Sequence, residues 1–242
     1  EAMAPDGRPV RREGLLSVAR RAAGGGGSCA VAQQAGCPRE RCSMLEGSTL
    51  RPTEEQSAHF DCKNNIDQLD KFLRSINHFL NKDNVSILKI RKKNNNFHAR
   101  FSAKTRIYKY VIINRISRPV IEQNRGWHII KKLDLNLMKK SAKKLVGTKD
   151  FSTFRKSSCR AKSPVKTMKS VKIKSIKDII LIEFRSQSFL QQQVRSMVGC
   201  LKYVGEKKWS LKKFENVMKS KKRILCAPPA PPEGLFLARV IY

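Results

Sequence analysis

The sequence predicts an α+β fold with a largely antiparallel sheet. Three observations carry this reading. Val171–Ile176 and Ile179–Phe184 alternate around Lys177-Asp178, the pattern of a hairpin. Stripes of helical period fall between the strand-like runs. No repeat recurs at a solenoid period, so the mixture belongs to one α+β architecture.

Taken in order, Ile66, Leu69, Phe72, Leu73, Ile76 and Leu80 space as the apolar stripe of a helix. Val85–Ile90 reads as a strand and Arg91–Asn96 as a polar loop. Phe97–Tyr110 interleaves basic and aromatic residues and runs into the apolar Val111-Ile112-Ile113-Asn114. A short strand is expected at Trp127–Ile130, then a helix over Leu133–Val146 stopped at Gly147. Leu190–Val204 repeats apolar residues at 190, 194, 197, 198, 201 and 204, with Gly205 as its end. Ser210 caps a further helix carrying Phe214, Val217 and Met218. A proline-rich approach, Cys226–Pro232, leads to a last strand over Leu235–Tyr242.

Residues 1–54 have a different vocabulary. They contain no Lys, Asn or Ile, yet hold eight of the thirteen glycines, including Gly24-Gly25-Gly26-Gly27. No helical or strand period survives there, so 1–54 is expected to be disordered or unrelated to the rest. Its Arg, Ala and Ser would suit a transit peptide, but Glu1, Asp6 and Glu13 argue against one. A cytoplasmic location is expected.

The net charge is +32, and residues 63–242 supply all of it, with 43 basic against 11 acidic side chains. Such a field attracts phosphate backbones and makes binding salt-dependent. An acidic membrane surface would suit the charge, but no apolar run approaches the ~20 residues of a spanning helix. Nucleic acid is the expected partner. The seven cysteines (29, 37, 42, 62, 159, 200 and 226) show no C-x-x-C spacing, which disfavours a zinc site. Their odd count and wide spacing fit a reducing compartment, with Cys200 as a core thiol. No phosphate-binding Gly-rich loop, G-x-S-x-G elbow or His-x-x-x-His pair is present.

Three stretches have chemistry to offer. A strand through Arg106, Tyr108 and Tyr110 sets a guanidinium beside phenol rings, suited to a phosphate and a stacked base. The alternative is a basic edge strand with one aromatic in the core. Ser188–Gly199 has a strand delivering Phe189 and a helix presenting Arg195 about one and a half turns in. A desolvated arginine there needs a carboxylate or phosphate, unless it snorkels to water. Gly199 would let the helix pack closely on a sheet. Asp150–Arg155 suits a core plug or an RNA contact, and those residues alone favour the plug. His98 has the chemistry of a base, but Phe97 and Phe101 beside it favour a structural role.

Together, Phe97–Ala103 with Arg106, Tyr108 and Tyr110; Asp150–Arg155; Phe189-Leu190 with Val194-Arg195 and Val198-Gly199; and Glu233–Leu237 with Val240 and Tyr242 resemble the TruA-type tRNA pseudouridine synthases. The resemblance covers about residues 55–242. It implies a pseudouridine synthase fold, with ferredoxin-like halves sharing an antiparallel sheet. It further implies a homodimer, without metal or cofactor, isomerising uridine in the tRNA anticodon stem-loop. Residues 55–96 would be a remnant of the catalytic lobe and 97–242 the RNA-binding lobe. By the same resemblance Tyr108 packs on the uracil, with Arg106, Arg100, His98 and Phe189 around it. Arg155, Lys104 and Lys109 are expected on the RNA, and Arg195 is expected to pair with a nucleophilic aspartate.

That aspartate is missing. Gln56-Ser57-Ala58-His59-Phe60 matches the family segment that follows it, and counting back places it at Ser48. No aspartate lies between Asp6 and Asp61, and Glu54 and Glu55 differ in reach and surroundings. The first half of the fold is therefore expected to be incomplete, with an unprotected sheet edge and impaired activity. The other reading is a non-catalytic basic RNA-binding protein.

Overall fold

The computed structural model describes residues 13–21, 53–62, 66–82, 85–94 and 96–242. The chain divides into two units, Glu1–Lys104 with Tyr242, and Thr105–Ile241.

In the first unit, β1 (Glu13–Arg21) pairs antiparallel with both β2 (Thr53–Cys62) and β3 (Val85–Lys93). This corrects the expectation that no strand occurs before residue 54. Ser48, with most of 1–54, lies outside the described residues. Because Gly14, Leu15 and Leu16 pair with Lys93, Lys92 and Arg91, the strand continues into what the sequence reads as loop. Pairing to an unforeseen partner overrode local polarity.

The stripe over 66–80 becomes α1 (Leu69–Phe79), followed by one 3₁₀ turn to Lys82. Its inward residue Ile76 joins Leu80, Phe60, Cys62, Ile87 and Ile90 in a small core. Asn77 ties the helix to β3, its Nδ2 donating to the Ile87 carbonyl (2.9 Å) and its Oδ1 accepting from the Ile87 N–H (2.7 Å). The amide thereby satisfies both backbone groups of one strand residue.

In the second unit, β4 (Thr105–Ile113) is an interior strand. It pairs antiparallel with β8 (Ile179–Ser186) on one side and β9 (Leu235–Ile241) on the other. The edge-strand alternative is thereby excluded. Beyond β8 lie β7 (Val165–Ile176) and β6 (Gly147–Asp150), while β5 is only Trp127–His128, parallel to the end of β4. The hairpin turns at Lys177 and Asp178, with Lys177 at φ 52°.

Three helices complete this unit: α2 (Leu135–Lys143), α3 (Gln193–Gly205) and α4 (Leu211–Lys219). Asp134 and Ser210 cap α2 and α4, accepting from the N–H groups of Leu137 and Lys213. Strand residues Tyr110, Ile112, Ile180, Ile182 and Phe184 meet Met138, Val194, Met197, Leu201 and Phe214 in one core. On β8 every second residue is buried, as a strand with one covered face requires.

The helix expected from Leu190 starts three residues later. Gln192 has φ 62°, outside helical space, so Leu190 and Gln191 belong to the connection after β8. Arg195 is consequently in the first turn of α3, rather than one and a half turns in. Among the described residues, no helix is long and apolar enough to cross a membrane.

Candidate nucleic-acid interface

The connection Gln187–Gln192 gathers most of the expected residues in the second unit. Tyr108 is half-buried on the core-facing side of β4, and its ring meets Phe189 edge-on, with centroids 5.1 Å apart and planes at 84°. Arg106 donates from Nη1 to the Gln187 carbonyl, bracing the same connection. From below, Lys156 N–H donates to the Gln191 carbonyl (3.1 Å), and Gln191 N–H reaches Cys159 Sγ (3.5 Å). Arg155 closes that loop by donating from Nη2 to the Cys159 carbonyl.

Around Arg155, Phe151 and Phe154 are fully buried, and Thr153 Oγ1 donates to the Val217 carbonyl (3.1 Å). Asp150–Phe154 is therefore a core plug, as its aromatics favour, with Arg155 at its rim. Asp150 Oδ1 accepts from both the N–H (2.8 Å) and the Oγ (2.6 Å) of Ser152. The Ser152 hydroxyl chiefly, with Lys221 assisting, holds the Asp150 carboxyl below its usual range. A depressed carboxylate stabilises the fold above its unfolded value, near pH 3.9. That contribution disappears as the pH falls through the lower folded value. Asp150→Asn should lose about 1 kcal/mol at neutral pH. Urea melts at pH 7 and pH 3 should show the wild-type advantage shrinking at the lower pH; a constant difference would exclude this linkage.

Arg195 is half-buried at the start of α3. Its Nε donates to the Ala230 carbonyl (2.6 Å), and Ala230 N–H donates back to the Arg195 carbonyl (3.0 Å). The Tyr110 hydroxyl donates to the Pro231 carbonyl (2.7 Å). Burial, foremost, pushes that hydroxyl well above its ordinary pKa; nearby Arg195 opposes the shift and Glu233 adds to it. Tyr110 is thus a neutral donor and a structural residue. Among the described residues, no carboxylate pairs with Arg195 or Arg155. A half-buried guanidinium held only by a carbonyl keeps capacity for a carboxylate or phosphate.

Lys109, of opposite parity to Tyr108, sits across from Glu183 in the β4–β8 register. In the first unit, His98 Nδ1 accepts from the N–H groups of Arg100 (3.1 Å) and Phe101 (3.4 Å). Its ring lies 4.5 Å from His59 and 4.4 Å from Phe101. With Nδ1 so occupied, His98 organises the 98–102 turn. Arg100 and Lys104 are exposed on either side of it. Tyr242 braces this turn, donating to the Ala99 carbonyl (3.0 Å).

Sequence reasoning missed two parts of the arrangement. Gln193 is fully buried, its Oε1 accepting from Leu190 N–H (2.7 Å), while its Nε2 has no hydrogen-bond partner among the described residues. It fixes the sharp entry to α3 that places Arg195. The segment 226–232, read only as an approach to a strand, instead clamps α3 through its carbonyls. Gly199 packs on Pro228 there, rather than on the sheet. The only sequence signal was a helical glycine coinciding with a proline run.

Comparison with known proteins finds relatives of this chain. The sequence model of a family described as tRNA pseudouridine synthase matches residues 141–242. A protein of Pelagibacter ubique named tRNA pseudouridine synthase A is 71% identical over 188 residues, covering 78% of this chain and 76% of the relative. Proteins of the same name from Parvibaculum lavamentivorans and Caulobacter vibrioides are 40% and 39% identical over 187 and 168 residues. The first alignment covers 77% of this chain and 76% of the relative, the second 69% and 68%.

Proposed function

This chain belongs to the tRNA pseudouridine synthase family, and we propose that it binds the anticodon arm of tRNA while lacking the aspartate that begins the isomerisation of uridine. The observation that carries this reading is the Tyr108 ring, backed edge-on by Phe189 on a strand that also bears Arg106. Extruding a uridine from its stack costs a few kcal/mol. Stacking on one aromatic ring returns about 1–3 kcal/mol, which offsets most of that cost. Arg106, Arg100, His98 and Phe189 are read as substrate-binding, Arg155, Lys104 and Lys109 as contacts to the RNA, and Arg195 as the expected partner of the absent aspartate. The assembly is read as a homodimer.

The missing nucleophile is supported by the sequence itself, since the position counted back from His59 is Ser48. The match to the Pelagibacter ubique relative spans 188 of 242 residues, short by the length of the segment before Glu55. That segment is read as foreign to the family, with 55–96 as the remnant of the catalytic lobe.

The absent aspartate also favours a second reading, a general basic RNA binder. The two part over selectivity. Binding of unmodified tRNA should exceed binding of the same tRNA lacking its anticodon arm. Tyr108→Ala should weaken the former by about 1–3 kcal/mol. Its log–log salt slope should stay unchanged, because the ring neutralises no phosphate. Equal affinity for both RNAs, with Tyr108→Ala neutral, would support the general binder.

A further inference from the structure

Cys200 lies in the middle of α3 and is fully buried, while Cys226 ends the 3₁₀ turn Arg223–Leu225 and is partly exposed. Their sulfurs are 3.5 Å apart, although 26 positions separate them in the chain. The sulfurs are thus about 1.5 Å from the disulfide bonding distance of about 2.05 Å. Arg223 stands beside the pair, anchored by Nη1 to Ser196 Oγ at 2.8 Å. The thiol of Cys200, as hydrogen-bond donor, and then Arg223 draw Cys226 toward its thiolate against the effect of burial; Cys200 itself is pushed up.

We propose that Cys200 and Cys226 are a peroxide-sensitive thiol pair that closes to an intrachain disulfide, bolting α3 to the clamp segment 226–232. The Cys226 thiolate attacks one oxygen of hydrogen peroxide, breaking the O–O bond; hydroxide leaves and takes up a proton as water, and a sulfenic acid remains. The Cys200 sulfur then attacks the sulfenic sulfur, losing its proton as the S–OH oxygen departs as a second water. Two thiols and one peroxide become one disulfide and two waters, and a dithiol reductant reverses the change.

The position gives the bond a consequence. The segment it would fix already holds Arg195 through Ala230 and receives Gly199 at Pro228. Closing the loop restricts the unfolded chain and secures the start of α3, so the oxidised protein should melt several degrees higher.

The test is peroxide treatment of the full chain, alkylation of the remaining thiols, and peptide mapping by mass spectrometry, beside thermal melts. A cross-linked peptide joining Cys200 to Cys226, two fewer alkylated thiols and a raised melting temperature are expected, all reversed by dithiothreitol. Cys226→Ser, at the partly exposed position, should fold, lose the cross-link and melt at the same temperature with or without peroxide. Cross-links confined to other cysteines would overturn the proposal. So would over-oxidation of Cys226 without a bridge, or a bridge that leaves melting unchanged.

Discussion

Incubated with an unmodified tRNA transcript, the purified chain is expected to bind it and leave its uridines unconverted. Isomerisation requires the glycosidic bond to break and re-form through carbon, and the proposed function assigns its first step to an aspartate that this chain lacks. Removing the nucleophile from a covalent mechanism lowers turnover by several orders of magnitude, while binding contributions persist. A serine at position 48 has neither the charge nor the basicity of a carboxylate, and Glu54 and Glu55 are six and seven residues away. Release of tritium from ring-labelled uridine measures the reaction directly. Release at rates normal for the family would show that another group supplies the chemistry, and would sink the account built on Ser48.

The parts of this fold that were legible in the sequence are those where side-chain period and burial coincide. The stripe over 66–80 and the alternation in β8 report their own environments. The edge-on contact of Tyr108 with Phe189 joins two stretches that the sequence singles out separately, one by basic residues interleaved with aromatics and one by the strand leading into α3. What stayed hidden depends on backbone. Nothing in Glu13–Arg21 forecasts a strand, because its place between β2 and β3 is set by its partners. Gln192 adopts a left-handed φ without being glycine, so the apolar repeat alone extends the helix back to Leu190. The carbonyls of Pro228, Ala230 and Pro231, which receive Gly199, Arg195 and Tyr110, leave no mark in a residue string.

That dependence on carbonyls makes Gly199 a sensitive position of the second unit. A Cβ at residue 199 would stand 2.1 Å from the Pro228 carbonyl oxygen, a backbone atom that cannot rotate away. The segment bearing that carbonyl is fixed on both sides, by the paired Arg195–Ala230 hydrogen bonds and by the Tyr110–Pro231 hydrogen bond. Gly199→Ala gains up to about 1 kcal/mol in helix propensity. Against that stands overpacking of about 1–3 kcal/mol or more, together with the strain placed on those hydrogen bonds. The clash wins, and a net loss of about 3 kcal/mol is expected by urea unfolding. Gly205→Ala serves as the control. Its Cβ would meet the Met138 sulfur at 2.9 Å, but that side chain is flexible and can turn aside, so the loss should be much smaller. Because Ala230 carries Arg195, Gly199→Ala should also weaken tRNA binding at temperatures where the variant remains folded. Equal losses from the two substitutions would show that the clamp yields as readily as a methionine, and that it does not hold Arg195 in place.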